Sequence, residues 1–145
     1  MNVYRVKITI RSMEKELNQI HHVLATSVEV QKEYNAKEEK QFFQRCIRRS
    51  FLEDSKREPE MITFVDEIDG LELFEKMSTF QLNDLKNNYY DDAMIDKPTW
   101  TLEYNEFKVV GNQEVPVVEE IKKLLEIEKY SKLSNNELIE LESTL

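Results

Sequence analysis

The chemistry available to this chain is carried by a few side chains. Glu106-Phe107-Lys108 sets a carboxylate and an ammonium two residues apart, and Asp66, Glu67 and Asp69 offer further carboxylates. Carboxylates around a divalent ion, with a lysine to position or activate water, are the equipment of metal-assisted phosphodiester cleavage. His21 and His22 are adjacent. On a helix such neighbours point about 100° apart and do not readily share one metal. No nucleophile and orienting carboxylate stand near them in sequence, as a catalytic histidine requires. Cys46, among Phe42, Phe43 and Ile47, reads as a small hydrophobe on an apolar stripe. Arg45, Arg48 and Arg49 nearby are the company a reactive thiolate keeps, but burial on such a stripe makes thiols inert.

The Glu106-x-Lys108 spacing resembles the acid-x-lysine core of restriction-nuclease-like families. That resemblance implies a divalent-metal-dependent nuclease centred on Glu106, Lys108 and the 66–69 group. It covers three residues, and the same spacing recurs at Glu38, Asp54, Asp84 and Glu120. Glu106 also falls in an expected turn, and Lys108 has Glu103 as a structural partner. No catalytic set is assembled in the sequence, so the expectation is a protein that is not an enzyme, with no cofactor and no metal.

Composition narrows the remaining classes. The 145 residues carry 29 Asp and Glu against 20 Lys and Arg, a net charge of -9. A chain of that length suits one domain, 1–145. Two glycines cannot furnish a glycine-rich phosphate cradle, and one cysteine with two histidines cannot complete a structural zinc site or an internal disulfide. The N-terminal stretch alternates instead of forming a signal-peptide core, and no apolar run reaches membrane-spanning length. The expected setting is cytoplasmic, with no membrane. Three alanines against ten asparagines resemble coding in an AT-rich genome, such as a low-GC bacterium or a virus infecting one.

Charge is unevenly spread. Residues 1–52 carry a net +4, residues 53–97 a net -8 and residues 98–145 a net -5. Asp66, Glu67, Asp69 and Glu72 surround an Asp-Gly turn, and Tyr89, Tyr90, Asp91 and Asp92 form a second group. Tyrosines beside carboxylates give rigid contact area plus charge for a basic partner. The alternative for Tyr89 and Tyr90 is the core. Arg45, Arg48 and Arg49, with Lys37 and Lys40, could form a basic helical face contacting phosphate or a second copy of the chain in a homodimer. A sequence pI near 4.9 argues against direct nucleic-acid binding. The leading expectation is an inhibitor or regulator of a basic, nucleic-acid-handling protein, of the immunity, antitoxin or phage anti-defence (anti-CRISPR) type. The alternatives are the nuclease or a nucleic-acid-contacting regulatory module.

The elements that must position these residues can be read from periodicity. Tyr4, Val6, Ile8 and Ile10 alternate with polar residues and predict a strand. Ser12 can cap a helix with Met13, Leu17, Ile20 and Leu24 on one side, and residues 27–34 alternate again as a second strand. Asn35 with Glu38 has capping-box spacing and predicts a helix to about residue 52, with Phe42, Phe43, Cys46, Ile47 and Phe51 on its apolar stripe. Residues 54–60 break the pattern, residues 61–65 read as a core strand, and residues 71–77 fit either a short helix or a hairpin arm. Ser78 with Gln81 predicts a helix holding Phe80, Leu82 and Leu85. From Trp100 a hairpin turning at Asn105-Glu106 pairs Tyr104 with Phe107 and Leu102 with Val109, with Glu103 opposite Lys108 on the other face. Pro116 opens a helix, and Ser134 with Glu137 caps a last one. The expected fold class is α+β, a small antiparallel or mixed sheet with a C-terminal hairpin, covered by several helices.

Overall fold

In the computed structural model, which describes residues 3–15, 21–53, 60–94 and 98–143, the chain opens as a meander of long strands. These are β1 (Arg5–Lys15), β2 (His21–Asn35), β3 (Lys40–Glu53) and β4 (Glu60–Ile68), each antiparallel to the next. α1 (Leu71–Ser78) follows, then single 3-10 turns and the two-residue β5 (Asn88–Tyr89). The hairpin β6 (Thr99–Tyr104) and β7 (Phe107–Gly111) docks on the free side of β1, and α2 (Pro116–Leu124), α3 (Ile127–Lys132) and α4 (Asn135–Ser143) end the chain. The result is one seven-stranded sheet in the order β4-β3-β2-β1-β6-β7-β5, antiparallel except for β5 beside β7.

This corrects the expected small sheet covered by several helices: the sheet is large and mixed, and the four helices are short. Two expected helices are strand instead. β1 continues past Ser12 to Lys15 and pairs with β2 from His21, so the helix from Ser12 to Leu24 does not form. Leu17 and Ile20 lie outside the described residues. The helix expected from Asn35 is β3. Asn35 Oδ1 does accept from the amides of Lys37 (3.0 Å) and Glu38 (3.4 Å), as a cap would. Glu39 then takes a left-handed φ of 49° and the chain reverses into β3. The helix expected after Ser78 shrinks to one 3-10 turn, Leu82–Asp84, because Leu85 is already extended. Residues 71–77, open between two readings, are helix.

The register puts Val6 and Ile8 of β1 between Val30 and Val28 of β2 and Tyr104 and Leu102 of β6. Ile47 and Phe64 continue that layer outward, and the buried residues of α1–α4, among them Met77, Val118, Ile121, Ile127 and Leu138, belong to the same hydrophobic cluster. All three registers expected for the β6–β7 hairpin are present. Both glycines sit where the backbone passes an aromatic ring. A Cβ on Gly70 would lie 2.7 Å from Phe43, and one on Gly111 2.8 Å from Trp100.

Among the described residues, the other face of the sheet contributes nothing to this cluster. Of its described side chains only Ser27 is buried; Lys7, Thr9, Glu29, Cys46 and Glu103 are half-buried, and Arg11, Arg48, Val65 and Lys108 are exposed. The strand period of two produces the contrast, since apolar residues on even positions of β1 and β2 turn polar ones to the opposite side. Among the described residues, no helix is long and apolar enough to cross a membrane.

Candidate functional site

The three arginines expected on one helical face are divided by the sheet. Arg45 and Arg49 point to the helix-covered side, whereas Arg48, their neighbour on a strand, faces the open side. Arg45 closes a two-pronged ion pair with Asp66 of β4, Nε to Oδ1 at 2.9 Å and Nη2 to Oδ2 at 2.5 Å, and its guanidinium stacks over Tyr130 at 5.5 Å. Burial works against that charge, but hydrogen bonding to Asp66 and the negative surroundings outweigh it and hold Arg45 above its ordinary value. Arg49 is 2% exposed; its Nε donates to Thr26 Oγ1, and its Nη atoms donate to the carbonyls of Tyr130, Ser131 and Leu133. A cation on the last carbonyls of α3 satisfies acceptors the helix cannot and complements its dipole. Two of the three arginines are therefore engaged by partners within the chain, Arg49 fully buried and Arg45 beside the cavity described below. Lys37 lies in the β2–β3 turn and Lys40 begins β3.

The acidic groups separate too. Asp66 and Glu67 are on β4 and Tyr89 on β5, the two opposite edges of the sheet. Six strand spacings of about 4.8 Å put them about 29 Å apart. Asp66 is committed to Arg45, and Glu67 is exposed on the open-face side of β4. Tyr89 packs against Trp100, ring centroids 6.2 Å apart, while Tyr90 is exposed. Asp91 is tied down by Asn112, which accepts from the Asp91 amide and donates to its carbonyl, and Asp92 is exposed. Asp69 and Glu72 remain exposed at the start of α1.

Those last two border a cavity of about 530 Å³ between α1 and the α2–α3 corner. Its floor is apolar, built from Val28, Val30, Ile68, Leu73, Leu124 and Leu125. Its rim carries Asp69, Glu72 and Glu126, with Lys76 as the one cation not already in an ion pair. Glu126 holds the α2–α3 corner in a left-handed conformation, φ 55°, and lies 3.6 Å from Lys129. Its place here is unreadable locally, because it reaches the site through a chain reversal far from Asp69 in sequence.

The residues of the nuclease reading do not meet. Glu106 and Lys108 belong to the β6–β7 hairpin, five spacings or about 24 Å from β4 and its Asp66. Among the described residues no three His, Cys, Asp or Glu are grouped so as to hold one ion. Cys46 is not on the apolar stripe with Ile47; it faces the open side between Glu29 and Val65. His21 and His22 begin β2. Comparison with family models, with curated proteins and with solved structures finds no match for this chain.

Proposed function

We propose that the chain is a non-enzymatic binding protein that inhibits or regulates a basic, nucleic-acid-handling protein, in the manner of immunity proteins, antitoxins and phage anti-defence or anti-CRISPR inhibitors. The observation that carries this reading is the acid-rimmed apolar cavity between α1 and the α2–α3 corner. A basic and apolar segment of a partner gains twice there, by burial on Leu73, Leu124 and Leu125 and by pairing with Asp69, Glu72 and Glu126. The net charge of -9 adds long-range attraction for a cationic protein. Such an inhibitor acts in the cytoplasm, where its target handles nucleic acid. Of the acidic residues singled out from sequence, Asp69 and Glu72 belong to the rim of this surface, whereas Glu67 is turned to the open face of the sheet. Tyr90 and Asp92, at the far edge of the sheet, are left for a partner large enough to reach round it.

The test is affinity capture with tagged protein from its native host or from infected cells, the lysate split and one half treated with nuclease. A stoichiometric basic protein retained in both halves is the expected result. Capture abolished by nuclease, or no capture in either half, would overturn the reading.

A further inference from the structure

The open face of the sheet holds a second, chemically opposite site. Between β7, β6, β1, β2 and β3 lies a depression of about 250 Å³. Cross-strand register assembles its floor from short side chains: Thr101 and Thr9 are paired, Thr9 is paired with Ser27, and Ala25 with Ser50. Arg11, Arg48, Lys108 and Lys7 stand around it. Lys7 and Arg5 share Glu103, the one carboxylate lining the depression, at 3.9 and 4.0 Å. Arg11, Arg48 and Lys108 are exposed and close no ion pair among the described residues, although Glu103 stands opposite Lys108 in register. On a protein with nine more negative than positive charges, four cations and one carboxylate, Glu103, line this hollow among the described residues.

Ser27 supplies the second, independent observation. Its side chain is on the open face yet only 6% exposed, and its hydroxyl lines the hollow with no hydrogen-bond partner among the described residues. A buried polar group of that kind costs free energy unless something bonds to it.

We propose that this depression binds the phosphate group of a small phosphomonoester. Arg11, Arg48 and Lys108 neutralise the dianion, and the hydroxyls of Ser27, Thr9 and Thr101 donate to its oxygens. Side chains here take the place of the glycine-rich backbone cradle that a chain with two glycines cannot build. Size supports a small ligand, since pockets that enclose whole drug-sized molecules run from about 300 to 1,000 Å³. An extended polyanion is disfavoured by the protein's overall negative field. Single-stranded nucleic acid would also want aromatic platforms, and no aromatic side chain lines the hollow. The site lies across the sheet from the acid-rimmed cavity and does not depend on the function proposed for it.

The experiment is an NMR and calorimetric titration of the full chain with inorganic phosphate, glycerol 3-phosphate and a 12-nucleotide single-stranded DNA. Saturable binding of phosphate and glycerol 3-phosphate is expected, with amide shifts centred on Thr9, Ala25 and Ser27. Arg48→Gln, at an exposed position, should weaken binding about tenfold, the effect of losing one charge-assisted hydrogen bond. Ser27→Ala should weaken it several-fold without lowering Tm. Absence of saturable phosphate binding, equal affinity in Arg48→Gln and Ser27→Ala, or binding of the oligonucleotide alone would overturn the proposal.

Discussion

Arg45 of β3 and Asp66 of β4 face each other across the strand pair and form a bidentate ion pair on the helix-covered side of the sheet, their side chains 22% and 13% exposed. The pair removes one residue from each of the two surfaces that sequence alone suggested, the basic one and the acidic one. It also makes a stability prediction. Asp66→Asn leaves a part-buried guanidinium without its counter-charge and should cost about 1–3 kcal/mol. The double replacement Arg45→Met with Asp66→Leu should recover much of that loss, because a paired charge removed whole leaves nothing unsatisfied. Urea unfolding of the two variants beside the unmodified chain checks both statements.

Arg49 should be more costly to change. Its donors go to Thr26 and to three carbonyls at the end of α3, so Arg49→Met strands those acceptors in a buried place. A loss of about 2–4 kcal/mol is expected. Hydrogen exchange should quicken first in α3, which loses its cap, and later in β1. An unchanged unfolding midpoint would show that Arg49 does not hold α3 to the sheet.

Gly111 should tolerate no side chain. A Cβ there meets Trp100 at 2.8 Å, the Tyr89 Cβ at 2.8 Å and the Tyr89 carbonyl at 2.9 Å, and the last is backbone. Gly111→Ala must therefore push β5 from β7 or tilt Trp100, at about 1–3 kcal/mol. A shift in tryptophan fluorescence should accompany the fall in Tm.

The cap of α4 titrates. Ser134 Oγ accepts from the Glu137 amide and Glu137 Oε1 accepts from the Ser134 amide, both at 3.1 Å, and hydrogen bonding by the Ser134 amide, with a smaller part from the Ser134 hydroxyl, holds the Glu137 carboxyl below its ordinary 4.5. A depressed carboxylate contributes stability above its unfolded value and loses it as pH falls through the folded one. The contribution is therefore intact at pH 7, begins to fall near pH 4.5 and is gone only below the lower folded value. Carbon-detected NMR of Glu137 should show the low value, and Ser134→Ala should return it towards 4.5.

The β6–β7 hairpin was legible because its apolar residues alternate, its turn is two residues long and the pairing between its two arms is local. β3 was not, for two physical reasons. Phe43, Ile47 and Phe51 recur every four residues, a spacing that suits one face of a helix and one face of a strand equally. The positions between them on the covered face are Arg45 and Arg49, whose charges are met by Asp66 and by the α3 carbonyls, 21 and more than 80 residues away. Asn35 misled in a similar way, since its side chain bonds the same two amides in a hairpin turn as in a helix cap. The acidic turn at Asp69 and Glu72 was visible in sequence. Glu126, which completes the rim, and the convergence of Arg11, Arg48 and Lys108 across three different strands depend on register and were not.

The most direct test of the central claim is the affinity of the captured basic partner for the triple variant Asp69→Asn, Glu72→Gln, Glu126→Gln, measured by calorimetry with both proteins purified. These side chains are exposed, so folding should be unaffected. The account predicts binding weakened at least ~10-fold, with a shallower dependence on salt. Affinity equal to that of the unmodified chain would place the partner elsewhere and contradict it.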